Sequence, residues 1–170
     1  LWQNFHCMHT TVLVHRQIQQ KIVRIAHEII EELSEIQEVH VVGIAGNGLV
    51  LAEKLLNEMQ KLSLQSFHLS TITLDKENPL AKPIIHNNSR DLSNSTILLV
   101  DDVINSGKTI QYALNHLLQN PVHQVKTVTL VDRKHRRFPI HADFVGLQLS
   151  TTLKERVEVT FEQDWLAYLV

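Results

Sequence analysis

Two adjacent carboxylates, Asp101 and Asp102, stand immediately upstream of a run of small and polar residues, Val103-Ile-Asn-Ser-Gly-Lys-Thr109. Ionised carboxylates accept hydrogen bonds and cannot donate them, so side by side they suit a partner rich in donors, such as the hydroxyls of a sugar. The residues that follow suit an anion. Asn105, Ser106 and Gly107 are small enough to let backbone N–H groups turn toward one point, and Ile110, Leu114 and Leu117 then recur at helical spacing. A loop that opens a helix offers unpaired N–H groups and the positive end of the helix dipole, most naturally to a phosphate. Acids and cradle in one stretch fit a ligand carrying both a phosphate and hydroxyls, a description that ribose 5-phosphate meets. Gly107-Lys108-Thr109 also matches the end of a nucleoside-triphosphate P-loop, whose first glycine would fall at position 102. Asp102 stands there, and a carboxylate would repel phosphates where the backbone must approach them.

Behind these groups, Thr96 to Val100 is a short apolar run of the kind buried on both faces of a parallel sheet, which places Asp101 and Asp102 at the strand's carboxyl end. A second unit has the same design. Val39 to Ile44 reads as a buried strand, Gly43-Ile-Ala-Gly-Asn-Gly48 as a glycine loop, and Leu49, Ala52, Leu55, Met59 and Leu62 as a helix. Ile18, Ile22, Ile25, Ile29 and Leu33 predict an amphipathic helix from Arg16 to about Glu35, preceded by a short edge strand at Thr11 to Val14. Phe67 to Leu74, Lys126 to Val131, Asp143 to Leu149 and Val157 to Phe161 have strand character. Residues 75–95, with Pro79, Pro83, Asn87 and Asn88, form a polar stretch long enough for a flexible lid that can deliver Lys76, Lys82 or Arg90. Lys134, His135, Arg136 and Arg137 make the densest basic run, suited to pyrophosphate, to RNA phosphates or simply to solvent.

Length allows one domain over residues 1–170, with 1–10 loosely attached. A net charge of −2 gives no global attraction to nucleic acid. The single cysteine, Cys7, has no internal disulfide partner, and no apolar run is long enough to span a bilayer, so a cytoplasmic protein without membrane contact is expected. The 11 histidines are scattered and fall in no recognised zinc spacing.

Val100-Asp-Asp-Val-Ile-Asn-Ser-Gly-Lys-Thr109 resembles the phosphoribosyl pyrophosphate motif of the type I phosphoribosyltransferases. Arg24-Ile-Ala-His-Glu-Ile-Ile30, Leu130-Val-Asp-Arg-Lys-His-Arg136 and Pro139-Ile-His-Ala-Asp-Phe-Val-Gly146 resemble segments of the bifunctional pyrimidine-operon regulators that also act as uracil phosphoribosyltransferases. The likeness covers most of residues 12 to 160. It implies an α/β fold, an open, mainly parallel twisted sheet flanked by helices, with a small hood whose base-binding segment is 132–150. The implied reaction moves ribose 5-phosphate from phosphoribosyl pyrophosphate to a nucleobase, uracil favoured, releasing pyrophosphate with the help of Mg²⁺. The alternative is a weakly catalytic or non-catalytic nucleotide sensor that binds the RNA of a pyrimidine operon. A homo-oligomer is implied by analogy.

On that resemblance Asp101 and Asp102 are the catalytic pair, holding the ribose hydroxyls and serving the metal indirectly, through substrate or water. Asn105, Ser106, Gly107, Lys108 and Thr109, with Val103, bind the 5-phosphate end. Ala45, Gly46, Asn47 and Gly48 form the pyrophosphate loop, and Arg133 joins the substrate-binding set. Phe144 stacks on the nucleobase while the Val145 backbone reads its edge. Asn105 stands where many 6-oxopurine enzymes place an aspartate, and an amide cannot serve as a general base, which argues against hypoxanthine or guanine. Two departures stand out. The pyrophosphate loop carries Ala45, Gly46 and Asn47 where close relatives have a basic or hydroxyl side chain, and Asp75 replaces an aromatic residue at the start of a short lid.

Overall fold

The computed structural model describes residues 9–75, 78, 81–86, 91–150, 152 and 155–170. The expectations placed on Cys7, Lys76, Pro79, Asn87, Asn88 and Arg90 lie outside the described residues.

Six strands form one sheet: β2 (Glu38–Ile44), β3 (Ser66–Thr73), β4 (Ile84–His86), β5 (Thr96–Ile104), β6 (Gln124–Arg133) and β7 (Phe144–Leu149). Their order is β4-β3-β2-β5-β6-β7, all parallel except the short β4. β5 lies at the centre, flanked by parallel β2 and β6, and this explains why its apolar run does not alternate with polar residues. Leu98 and Val100 pack on one face beneath α1 (His15–Glu32) and α2 (Asn47–Leu62), against Ile18, Ile25, Ile29, Leu51 and Met59. Ile97 and Leu99 pack on the other face with Ile110, Ala113 and Leu117 of α3 (Lys108–Leu117). Each of these fully buried aliphatic side chains contributes about 1.5–3 kcal/mol, so the carboxyl end of β5 rests on the firmest part of the molecule.

The predicted helix at Arg16 begins one residue earlier, where the Gln17 side chain accepts a 3.0 Å hydrogen bond from the Val14 N–H, and it ends at Glu32 instead of Glu35. β5 runs past Val100 to Ile104 because its ladder with β6 continues through Asp101–Thr129, Val103–Val131 and Ile104–Asp132. Within the expected lid, Ile84–His86 adds a short antiparallel strand to β3.

A second sheet is antiparallel and three-stranded, in the order β1-β9-β8, from β1 (Thr10–Val14), β8 (Val157–Thr160) and β9 (Leu166–Leu169). It joins the two ends of the described chain, pairing Thr10 with Leu169. Trp165 docks it onto the helices: the His15 ring stacks on the indole at 4.4 Å and the Lys54 ammonium lies 3.8 Å from its centroid. The hood segment expected at 132–150 is placed differently. Residues 144–149 are the edge strand of the large sheet, and Gly146 is needed there because a Cβ would collide with the Leu130 carbonyl. The small sheet is built from residues on either side of that segment.

Candidate active site

The carboxyl edge of the large sheet gathers the two loops predicted to bind ligand. Asp101 is 8% exposed and its Oδ1 accepts a 3.0 Å hydrogen bond from the Asp102 N–H. Asp102 is half-buried, and the Thr129 hydroxyl holds its carbonyl at 3.1 Å. Burial pushes the Asp102 carboxyl above the ordinary carboxylate range, an effect partly offset by hydrogen bonds with the Asp101 side chain, the Val103 backbone and the Asn47 side chain.

After β5 the chain turns through Gly107 at φ +83°, a left-handed conformation whose missing Cβ leaves room for the Ile140 side chain. The Ser106 hydroxyl accepts from the Lys108 N–H at 3.3 Å, while the Ser106 carbonyl accepts from Arg137 N at 3.0 Å and Phe138 N at 3.2 Å. Residues 103–110 with Asp101 enclose a concavity of about 30 Å³. It shares Asp101, Val103, Asn105 and Thr109 with a larger cavity of about 350 Å³, whose remaining walls are Ile44 to Asn47, Asp102 and Val157 to Val159. That volume suits a small ligand.

The glycine loop reaches the same cavity. Ala45 N–H is pinned to the Ile72 carbonyl at 2.9 Å, Gly46 turns at φ +95°, and Gly48 packs so tightly that a Cβ would lie 2.9 Å from the Val100 carbonyl oxygen. Asn47 donates from Nδ2 to the Val159 carbonyl at 2.6 Å. Asp101, Asp102, Ala45, Gly46, Asn47, Val103, Asn105 and Thr109 thus line one space, with Ser106, Gly107 and Lys108 around its smaller annex and Gly48 behind it.

Arg133 does not open into either space. It is 5% exposed, with Nη1 donating to Asn105 Oδ1 at 3.2 Å and Nη2 to the Thr152 carbonyl at 3.0 Å. It therefore braces the 105–109 loop at Asn105. Arg136 is similarly engaged, with Asp132 and with the carbonyls of Ile140 and Arg133, which leaves Lys134 and Arg137 as the exposed members of the basic run.

The expectation for Phe144 is corrected. Its ring is 4% exposed and belongs to the core beneath α1, so it has no face to offer a base. The Val145 carbonyl, expected to read a base edge, accepts from the Arg24 guanidinium at 2.8 Å. The wall opposite the acids is instead Val157, Glu158 and Val159 of β8, residues that the sequence pattern identified only as a strand. No local signal brings them there; the antiparallel return onto β9 does.

The cavity holds three carboxylates, Asp101, Asp102 and Glu158, and its lining includes no lysine, arginine or histidine among the described residues. Two adjacent acids facing a ligand cavity are a fitting donor set for Mg²⁺, which keeps several waters and binds through few carboxylates plus substrate oxygens. Among the described residues no cluster of three or more metal-ligating side chains is present, and a cation held in this way needs none. No described helix is long and apolar enough to cross a membrane.

An open, mainly parallel sheet with paired acids and a glycine-turned loop at its carboxyl edge defines an α/β protein with a ligand cavity at the strand ends. More particularly, the chain belongs to the phosphoribosyl transferase domain family, matched over residues 9–163. It is 33% identical over 165 residues to the bifunctional protein PyrR of Haemophilus ducreyi, covering 91% of each chain, and 34% identical to that of Leifsonia xyli, covering 89% and 90%. Among solved structures it is similar to a hypoxanthine-guanine phosphoribosyltransferase from Bacillus anthracis, with a TM-score of 0.75 over 95% of this chain and 98% of that one. A Staphylococcus aureus hypoxanthine phosphoribosyltransferase follows at 0.71, covering 89% and 85%. Sequence identities of 20% and 17% make these a likeness of fold.

Proposed function

We propose that this protein transfers ribose 5-phosphate from phosphoribosyl pyrophosphate to a nucleobase, uracil favoured, and releases pyrophosphate. The convergence of the 105–109 cradle, the Asp101–Asp102 pair and β8 on one cavity carries the reading. The cradle takes the 5-phosphate through backbone N–H groups and the hydroxyls of Ser106 and Thr109. The acids accept from the ribose hydroxyls and favour the positive charge that grows on the ring as its C1 bond to pyrophosphate lengthens. A ring nitrogen of the base, held against β8, then forms the new bond to C1 as the bond to pyrophosphate breaks, and the proton it carried passes to the released pyrophosphate or to water. Asp101 and Asp102 would hold Mg²⁺ through substrate or water, and the ion would supply charge that neutralises the pyrophosphate.

Uracil is supported by the resemblance to pyrimidine-operon regulators and by Asn105, whose amide oxygen faces a guanidinium and cannot exchange a proton with a purine. The cation-free loop at Ala45, Gly46 and Asn47 favours a second reading, a nucleotide sensor with weak turnover and RNA as its partner. The deciding measurement is product formation with phosphoribosyl pyrophosphate, Mg²⁺ and a panel of uracil, orotate, adenine, guanine, hypoxanthine and xanthine, resolved by chromatography. Uridine 5′-monophosphate as the main product supports transfer to uracil. No nucleotide from any base, alongside calorimetric binding of phosphoribosyl pyrophosphate, sinks catalysis and leaves the sensor.

A further inference from the structure

β8 is paired with β9 along one edge only, and Val157 to Val159 border the cavity. Such a strand edge is a row of backbone donors and acceptors, and its usefulness to a base depends on how firmly it is placed relative to the ribose. One group on it is held from outside the small sheet. The Val159 carbonyl accepts the 2.6 Å hydrogen bond from Asn47, the first residue of α2, and the same side chain also hydrogen-bonds Asp102. An amide nitrogen carries two hydrogens, so one Asn47 can serve both acceptors at once.

Its own anchorage is rigid. On one side Gly46 takes its φ of +95°; on the other Gly48 lies against the Val100 carbonyl and the Asp101 carboxylate, at 2.9 and 3.2 Å from where a Cβ would be. Ala45 N–H is fixed to β3. A backbone fixed at Ala45 and packed tightly at Gly48 limits the freedom of the amide between them, the condition for a side chain that sets distances. The amide nitrogen is already committed to the Val159 carbonyl, which separates its role from that of the loop backbone.

Resting on the reading of β8 as the base-side wall, we propose that Asn47 is a positioning residue that holds the β8 edge in register with Asp102. It thereby sets where a nucleobase sits relative to the ribose.

Two variants and two probes test this. Asn47→Ala removes both hydrogen bonds. Asn47→Leu keeps the approximate size, removes both donors and adds no charge beside Asp102, with thermal unfolding checking that the fold is retained. Calorimetry with uridine 5′-monophosphate, which has a base, and with ribose 5-phosphate, which has none, reads the role directly. Asn47→Ala is expected to weaken the nucleotide about tenfold and the sugar phosphate less than about threefold, and Asn47→Leu to weaken the nucleotide at least as much. In turnover, the KM for uracil should rise more than kcat falls. Equal weakening of both probes by Asn47→Ala, or no weakening of either, overturns the inference while leaving the phosphoribosyl reading standing. A wild-type protein that binds neither probe overturns that reading and takes the inference with it.

Discussion

The two strand–loop–helix units that meet at the cavity share one backbone design and differ in what they carry. β2 leads through Gly46 into α2, and β5 leads through Gly107 into α3; each glycine has positive φ, and neither helix start is capped by a side chain of its N-cap residue. Both therefore turn first-turn N–H groups toward a common space. The β5 unit adds Ser106, Lys108 and Thr109. The β2 unit adds Ala45 and Gly46, both exposed, and an asparagine occupied with Asp102 and β8. The backbone of an anion site is thus present twice and its side-chain chemistry once. On the proposed function a phosphate in the β5 cradle would meet a cation and hydroxyls, whereas one at the β2 loop would meet backbone dipoles among three carboxylates and depend on charge brought by a metal.

The acids belong to both units, so removing one breaks the comparison outright. Asp102→Asn keeps the shape and loses the charge that favours a cationic ring, and product formation should fall about 10²–10³-fold, the scale of losing one preorganised electrostatic partner. Initial rates at saturating substrates check it, and a rate within a factor of two of wild type removes Asp102 from the chemistry. Next in size is Gly107→Val. A side chain there meets Ile140 and must adopt φ +83°, which for a β-branched residue costs about 1–2 kcal/mol before any clash. Ribose 5-phosphate affinity should fall more than about tenfold, read by calorimetry, with a lower Tm. Preserved affinity would mean that the cradle is not built on this turn.

Ala45→Lys sharpens the contrast by giving the β2 loop the charge it lacks. The position is exposed and free of positive φ, so the lysine fits without strain. The KM for phosphoribosyl pyrophosphate should fall about threefold to tenfold, in keeping with a partly exposed charge-assisted contact, while ribose 5-phosphate affinity stays where it was. A gain for both ligands would show a general change in potential, not a pyrophosphate contact.

The β5 unit was legible in the sequence because strand, acids, glycine and helix lie within one local stretch, and each constrains the next. α1 was legible through its apolar period, and its ends moved by only a few residues. What escaped is non-local. Val157 to Val159 reach the cavity only because β9 pairs β8 with β1 from the other end of the chain. Phe144 and Val145 drew attention through a motif whose glycine serves sheet packing, since Gly146 presses against Leu130 in β6. Arg133 has the charge of a ligand-binding residue, and only its burial against Asn105 and Thr152 shows it to be a brace. Charge is visible in a sequence; whether it is already spent on a neighbour is not.

The smallest expected effect is one of stability, and it isolates Asp102 from ligand. Burial holds this carboxyl above its unfolded value, so the native state favours the neutral form. Below the unfolded carboxylate range both states are protonated and the shift has no consequence. As pH rises through the folded value, the native protein must ionise a buried acid that the unfolded chain has already ionised, and it loses stability relative to an amide at that position. Without ligand or Mg²⁺, Asp102→Asn should therefore melt above wild type at pH 7 to 8, with the difference shrinking as the pH is lowered toward about 4. Thermal unfolding of both proteins across that range checks it. A constant offset would assign the change to packing, and an offset that grows on acidification would mean that Asp102 is stabilised as an anion. The acid pair would then cost the fold nothing, and the contrast between the furnished and the bare loop would rest on geometry alone.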